Sequence, residues 1–493
     1  MRPVCKPATI YIQLFVFKRS LVLHQDALSM NRTVAAPHYA HARLVLLIVA
    51  TGFFLVGYDV GALVVAIPSI GREFSVNTST LSNIVLAYVL VSAITLVPFG
   101  RLADLYGRKR LFVAGAVIIS VSSVFLPIAP SLLILIALRA FLGIGAALVL
   151  GTGVALLTSV FPKGATGTSI GVSASAYSLG ALAGPLVGGF LSDAVGWRSI
   201  FFVNIPLGIA IALFALWRMT EDWADARGEH FDVVGSVLYG ATLLAIVLGI
   251  DLFATRAGAP LLLLLGAAGL VAFFAWEARQ SQPIIDVSLF RNRGFAVAVL
   301  AVLFSQAAVY GVNFLVSIYL QTVKGLNPLD AGVILVAIPT TTIIFSPLTG
   351  KLSDRIEPRI LTSAGLGGIV VALLFFSTLT ATTAVGFTAT YLVILAGGIA
   401  LFIAPNTNAA MYAIKRRFYG VGSATLVTMR LIGQTLSVTL IGVVSLSYVA
   451  EVEISPVSYP QLLTSMHITF LLFAALGLVG VACSLLRGKT RDI

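Results

Sequence analysis

Three ionisable side chains lie well inside long apolar runs of this 493-residue chain: Asp59, Arg139 and Arg430. A charge in such surroundings costs about 2.5–3.5 kcal/mol on insertion scales, so each is a functional candidate. A buried carboxylate can bind and release a proton. Burial raises its proton affinity and a neighbouring guanidinium lowers it, so a carboxylate between those two pulls can titrate when its access changes. Of 19 acidic residues only Asp59 falls deep in a run; Asp104, Asp193, Asp232, Asp251, Glu277, Asp330 and Asp354 mark run ends. Asp59 stands about nine residues from one end of its run and Arg139 about eight from the corresponding end of its own. At 1.5 Å per residue they share a depth. Together they make either a proton-coupling centre, with Arg139 tuning Asp59, or a static buried ion pair. Arg430, about ten residues into its run, could attract an anionic substrate group or bridge to backbone carbonyls.

A second set of residues suits a small-molecule cavity, which needs mostly apolar walls and a few polar points. Gln306, Asn313, Asn406, Asn408 and Gln434 join Arg430 as polar points in the second half, and Tyr88, Tyr177 and Tyr310 could supply aromatic walls. Each of these also suits plain interhelical packing. Other chemistries find no support. His24, His38, His41, His230 and His467 avoid the middle of every run, so a histidine proton relay is not expected. No G-x-x-x-x-G-K-[ST] phrase is present to cradle a nucleotide. Cys5 and Cys483 have no ligand spacing, and no metal or Ser/His/Asp constellation emerges. The expected protein is neither an enzyme nor a cofactor carrier; a proton would be the coupling ion.

The elements that position these residues follow from composition. The chain is 59% hydrophobic and 10% charged, against about 25% charged in soluble domains. That excludes a soluble enzyme, a disordered chain and a nucleic-acid-binding domain. A membrane-spanning helix needs about 20 mostly apolar residues, and fourteen stretches qualify. They lie near 44–68, 81–101, 111–129, 131–157, 166–192, 197–217, 232–253, 258–278, 294–321, 330–351, 360–379, 383–409, 420–447 and 463–486. Basic residues orient them, because Lys and Arg favour cytoplasmic loops. With a cytoplasmic N-terminus, 25 of the 31 fall inside, four outside and two, Arg139 and Arg430, within spans. Removing one span would invert every later loop and destroy this bias. The net charge of +12 thus reports topology, with both termini cytoplasmic. Residues 1–43 form a leader expected to be disordered. Its apolar stretch ATIYIQLFVF is too short to span and lacks a small-residue cleavage site, Met30 offers an alternative start, and a short interfacial helix is the other reading.

Two phrases repeat. GRLADLYGRKRL, Gly100 to Leu111, ends the second span, and GKLSDRIEPRIL, Gly350 to Leu361, ends the tenth. Each sets Gly, Leu, Asp and basic residues on a short connector. They occupy equivalent places if six spans precede an inserted pair and six follow it, as in transporters built from internal repeats. The expected division is 44–217 for the first six-helix bundle, 218–293 for a linker with two extra spans, 294–487 for the second bundle and 488–493 for a cytoplasmic tail.

The first phrase resembles the signature loop of the major facilitator superfamily, and Gly180-Ala-Leu-Ala-Gly184-Pro185-Leu-Val-Gly188-Gly189 is similar to the family's antiporter signature G-x-x-x-G-P-x-x-G-G. GWRSIFFVNIPLG, Phe231-Asp232 and PIIDVSLFRNRGF resemble the fourteen-span drug:proton antiporter branch. The resemblance implies an all-α polytopic fold of two six-helix bundles plus two inserted helices. It places the first and fourth spans together around a central cavity. It makes Gly100, Asp104, Gly107, Arg108, Lys109 and Asp354 a cytoplasmic gating loop, with Asp104 capping the span that begins near Gly420. It implies a monomeric plasma-membrane exporter of hydrophobic or amphipathic compounds driven by protons; a dedicated exporter of one metabolite, or a uniporter or importer, is the alternative. YDVGALVVAIPSI resembles the family's L-D-x-T-I-V-N-V-A-L-P, keeping Asp59 and Pro68 but replacing Thr by Gly61 and Asn by Val64. Arg139 and Gly143 match R-x-x-Q-G, with Leu142 in place of Gln. Leu105 likewise stands where the family often has Arg.

Overall fold

The computed structural model describes residues 36–161, 166–219, 222–224, 226, 228–252, 258–280, 283–284, 287–353, 356–414, 419–448 and 458–487. The leader up to residue 35, the tail, Asp354, Lys163 and Lys415 to Arg417 lie outside them. Among the described residues, fourteen helices are long and apolar enough to cross a membrane. The first half holds α1 (Ala42–Phe74), α2 (Thr78–Tyr106), α3 (Arg108–Ile128), α4 (Leu132–Val160), α5 (Thr168–Ala194) and α6 (Trp197–Arg218). Next come α7 (Val233–Asp251) and α8 (Ala259–Glu277). The second half holds α9 (Arg293–Val323), α10 (Pro328–Ser346), α11 (Pro358–Phe376), α12 (Val385–Tyr412), α13 (Val421–Tyr448) and α14 (Tyr459–Leu485). Helix begins at Ala36, earlier than the first apolar stretch suggests, and runs on past it to Phe74.

Local chemistry sets the ends. Asn77, Ser131, Asp232, Asn292 and Asn327 cap α2, α4, α7, α9 and α10, each accepting from a backbone N–H three residues on; this satisfies donors that helix starts leave orphaned. Asp232 also accepts from Trp276 Nε1 at 3.0 Å, tying the start of α7 to the end of α8. Two spans are interrupted. α9 breaks at Tyr310–Gly311, where the Gly311 N–H turns to Ser437 Oγ of α13 at 3.0 Å. α10 breaks at Val336. Irregular backbone at membrane depth survives only where protein re-satisfies it.

Packing divides these helices by role. α1 runs against α5 along their length, and α2 packs on α4 and on α13. α7 and α8 pack on each other, and α7 leans on α2 and α13. Only 17% of the most apolar window of α8 and 28% of that of α7 are buried, against 56% in α1, and their contacts place the pair at the flank of the bundles. The halves interlock at the end carrying the α5–α6 and α9–α10 connections. There Ser317 Oγ donates to the Val64 carbonyl at 2.7 Å and Gln321 Nε2 to the Val65 carbonyl at 2.8 Å. A Cβ on Gly332 of α10 would sit 2.2 Å from the Pro185 carbonyl oxygen. Towards its other end α5 is open: Thr168, Gly171 and Ser175 are exposed, and no described residue lies within 4 Å of a Cβ at Gly171.

Candidate functional site

Depth alone brings Asp59 and Arg139 level; the fold brings them into contact. Arg139 Nη1 donates to Asp59 Oδ2 at 2.7 Å, with the side chains 1% and 3% exposed. Asn204 Nδ2 of α6 donates to the other carboxylate oxygen at 3.0 Å and to Ser123 Oγ of α3 at 3.2 Å. The Arg139 guanidinium lies 4.6 Å from the centre of the Tyr88 ring. The carboxylate is thus held by α4 and α6, with Ser123 of α3 behind Asn204, all in the first half. Asn204 and Ser123 escaped the sequence reading. Their only signal was an amide in the apolar phrase FFVNIPLG and a hydroxyl in ISVSSVF.

Glycines set the height and rotation of Asp59. Gly57 and Gly61 flank it two residues to either side on α1. A Cβ at Gly57 would lie 2.2 Å from the Tyr177 carbonyl oxygen, and one at Gly61 would lie 2.8 Å from Pro185 Cδ. From the facing helix, Gly180, Gly184 and Gly188 meet the backbone of Phe54, Tyr58 and Ala62 in the same way. Small residues at four-residue spacing allow such an approach. Gly61, in place of the family's threonine, serves this seam. Gly189 faces the other way, its Cβ position 2.8 Å from the Pro328 carbonyl oxygen of α10. The antiporter phrase therefore packs α5 on both halves at once. Gly143 makes the comparable crossing of α4 on α2, where Ser92 Oγ donates to its carbonyl at 2.9 Å, and Leu142 is buried.

The loop after α2 is a charged knot. Arg108 Nε donates to Asp104 Oδ1 at 2.8 Å and the Arg108 guanidinium bonds Ser159 of α4. The segment between α6 and α7 wraps this loop. Asp222 accepts from Lys109 N at 3.2 Å and pairs with Arg110 at 2.8 Å. Arg101 pairs with Glu229 at 2.5 Å. Lys109 Nζ bonds the Met219 carbonyl, and Ala226 N donates to the Asp104 carbonyl at 3.0 Å. Gly107 has φ +121°, and a Cβ there would lie 2.2 Å from Asp222 Oδ1. Gly107→Ala should therefore loosen the knot, costing about 1–3 kcal/mol of backbone strain. A lower melting temperature and faster proteolysis between α6 and α7 would register it; unchanged values would contradict it. No described residue lies within 4 Å of a Cβ at Gly100.

The cavity candidates separate. Tyr177 lies within electrostatic reach of both Asp59 and Arg430, and Tyr310 within reach of Asp59 and Arg139. Gln434 Nε2 donates to Gln306 Oε1 at 3.3 Å, and Asn313 Oδ1 is buried without a partner among the described residues. Asn406 is instead an interhelical clasp. Its amide donates to the Ala298 carbonyl at 3.1 Å, and its oxygen accepts from Arg487 just beyond α14. Burial pushes the Arg487 guanidinium down to about 10.

Fourteen membrane-length helices packed around a sealed ion pair define a polytopic membrane protein. Residues 49–438 match the Major Facilitator Superfamily, and the chain belongs to it. It is 33% identical over 408 residues to the multidrug resistance protein Stp of Mycobacterium tuberculosis, covering 81% of this chain and 75% of that one. It is 30% identical to the riboflavin transporter RibZ of Clostridioides difficile, covering 78% and 84%. A bacterial homolog of the human lysosomal transporter Spinster, solved inward-facing and occupied, superposes with a TM-score of 0.63 at 18% identity, covering 93% of this chain and 98% of that one.

Proposed function

We propose that this transporter is a proton-coupled antiporter that exports hydrophobic or amphipathic small molecules by alternating access. The observation that carries the reading is the Asp59–Arg139 pair, sealed at 3% and 1% exposure within the first half. The carboxylate is the deep acidic group of the spans, so it is the one placed to take up a proton. Protonating it removes the negative charge that Arg139 and Asn204 grip. An ion pair in low dielectric that loses one charge leaves the other uncompensated, so proton uptake would favour rearrangement of α1 against α4 and α6. That rearrangement would reach the α1–α5 seam and, through Gly189 and Pro185, α10 of the second half. In the proposed cycle Asp59 takes a proton with the cavity open outward as substrate leaves, and releases it inward as substrate binds.

The interlocked end would then face outward and the open end of α5 the cytoplasm, with both termini cytoplasmic in the plasma membrane. The unit of function would be a monomer of two six-helix bundles, 44–217 and 294–487, with α7 and α8 in the linker between them. No bound cofactor takes part. The similarity to Stp supports multidrug export; the similarity to RibZ favours, as a second reading, a transporter dedicated to one metabolite. Everted vesicles incubated with a panel of dyes and drugs test both. Proton-gradient-dependent uptake of several unrelated compounds is the expected result. Uptake of one compound class alone would select the dedicated reading, and gradient-independent equilibration would overturn antiport.

A further inference from the structure

Arg430 is a half-buried charge within a span that the proton-coupling reading leaves unused. It sits nine residues into α13, at membrane depth. Among the described residues it has neither a hydrogen bond nor an ion pair, and its Nε is buried without a partner. Its surroundings place it at the junction of the two halves. Three residues along, Gly433 presses on the Leu303 carbonyl and Gln306 of α9. Its neighbour Leu431 packs with Ala93 and Leu96 of α2. Tyr177 of α5 lies within its electrostatic reach.

Charge balance makes this cation distinctive. Asp59 and Arg139 cancel each other at 2.7 Å. Asp251 lies against Gly442, twelve residues farther along α13, or ~18 Å of helix. No fixed carboxylate of α13 or its described partners compensates Arg430. A guanidinium at this depth is normally paired with an acid or with backbone carbonyls. A planar fork of donors fits a carboxylate with two parallel hydrogen bonds, and Tyr177 nearby offers a π face for a flat ring.

We propose that Arg430 is the recognition point for the acidic group of the substrate, and that the transported class is aromatic anions bearing a carboxylate or a comparably acidic oxygen. The acid would occupy the free donors of Arg430, while its ring lies against Tyr177. The Gln434–Gln306 pair one turn farther on would offer further polar contact. This inference rests on the export reading, but its test separates the two.

The probes are a carboxylated coumarin dye whose ring bears no hydroxyl and the methyl ester of the same dye, bound to the purified full-length protein and followed by fluorescence polarisation. The wild type should bind the acid more tightly than the ester. Arg430→Gln should weaken acid binding about tenfold or more, as expected for loss of a hydrogen bond to a charged group. Ester binding should change by less than about twofold on the same scale. Arg430→Lys should restore part of the preference, and the melting temperatures of both variants confirm a folded protein. Equal binding of acid and ester, binding of neither, or equal weakening of both by Arg430→Gln would overturn the proposal. Gradient-driven uptake into everted vesicles is scored separately. Acid-selective binding without driven uptake would remove the antiport reading and leave this one. Driven uptake of cationic dyes with no acid preference would do the reverse.

Discussion

Asp59→Asn should give a folded, inserted protein whose proton-driven efflux falls to the leak rate. The substitution keeps the shape of the side chain and an oxygen that can accept from Arg139 Nη1, now at 2.7 Å. It removes the one property transport would use, a dissociable proton. The amide NH2 must also face either Arg139 or the Asn204 Nδ2 that now donates at 3.0 Å. One donor–acceptor contact is therefore lost, at a cost of about 1–3 kcal/mol. The melting temperature should fall measurably without the protein unfolding. Arg139→Leu should be worse for stability, because it strands a carboxylate that is 3% exposed, and losing one partner of a buried pair costs about 3–5 kcal/mol. The assay is drug uptake into everted vesicles with and without a proton gradient, paired with substrate exchange at zero gradient. Exchange should persist in Asp59→Asn, since the proposed substrate contacts at Arg430 and Gln434 do not use the Asp59 carboxylate. Wild-type gradient-driven uptake by Asp59→Asn would end the coupling hypothesis.

The sequence made the axial coordinate of this centre legible and hid the angular one. Rise per residue fixes how deep a helical residue lies, so two lone charges at one depth can be matched by counting along the chain. Which helices surround a residue depends on rotation about each axis. A nearly uniform apolar span gives no hydrophobic face from which to read that rotation, since lipid is as apolar as the core. Asn204 and Ser123 were hidden for this reason. So was the role of Asn406, which looked available to a cavity and instead bonds Ala298 and Arg487. Gly61 and Leu142 read as lost polar groups because residue identity was compared without the neighbouring helix. The structure puts a backbone or a packed core where those groups would stand. The contacts of Asp222 and Glu229 with the loop after α2 were also unreadable, because short polar connectors carry no periodicity. The Gly-rich phrase in α5 was more informative, since small residues at fixed spacing imply a close crossing whatever the rotation.

That crossing supplies the second large effect, and one helix provides both the test and its control. Gly180→Ala adds a single carbon to α5 at a point 2.0 Å from the Phe54 carbonyl oxygen and 2.8 Å from Tyr58 N. Both obstacles are backbone, so no rotamer change relieves them; α1 and α5 must separate. Overpacking of this kind costs about 1–3 kcal/mol or more. Gly171→Ala adds the same carbon where no described residue lies within 4 Å. There the gain in helix propensity, up to ~1 kcal/mol, should leave stability unchanged or slightly raised. The two substitutions therefore have opposite signs on one helix, and their melting temperatures in detergent should diverge. The functional consequence reaches beyond stability. Gly57 and Gly61 bracket Asp59 on the surface that Gly180 would push away, and a displaced α1 carries the carboxylate out of register with Arg139 and Asn204. Gly180→Ala should then lose driven efflux in the molecules that still fold, whereas Gly171→Ala retains it. Equal melting temperatures and equal efflux for the pair would show that the seam neither holds α1 nor positions its carboxylate.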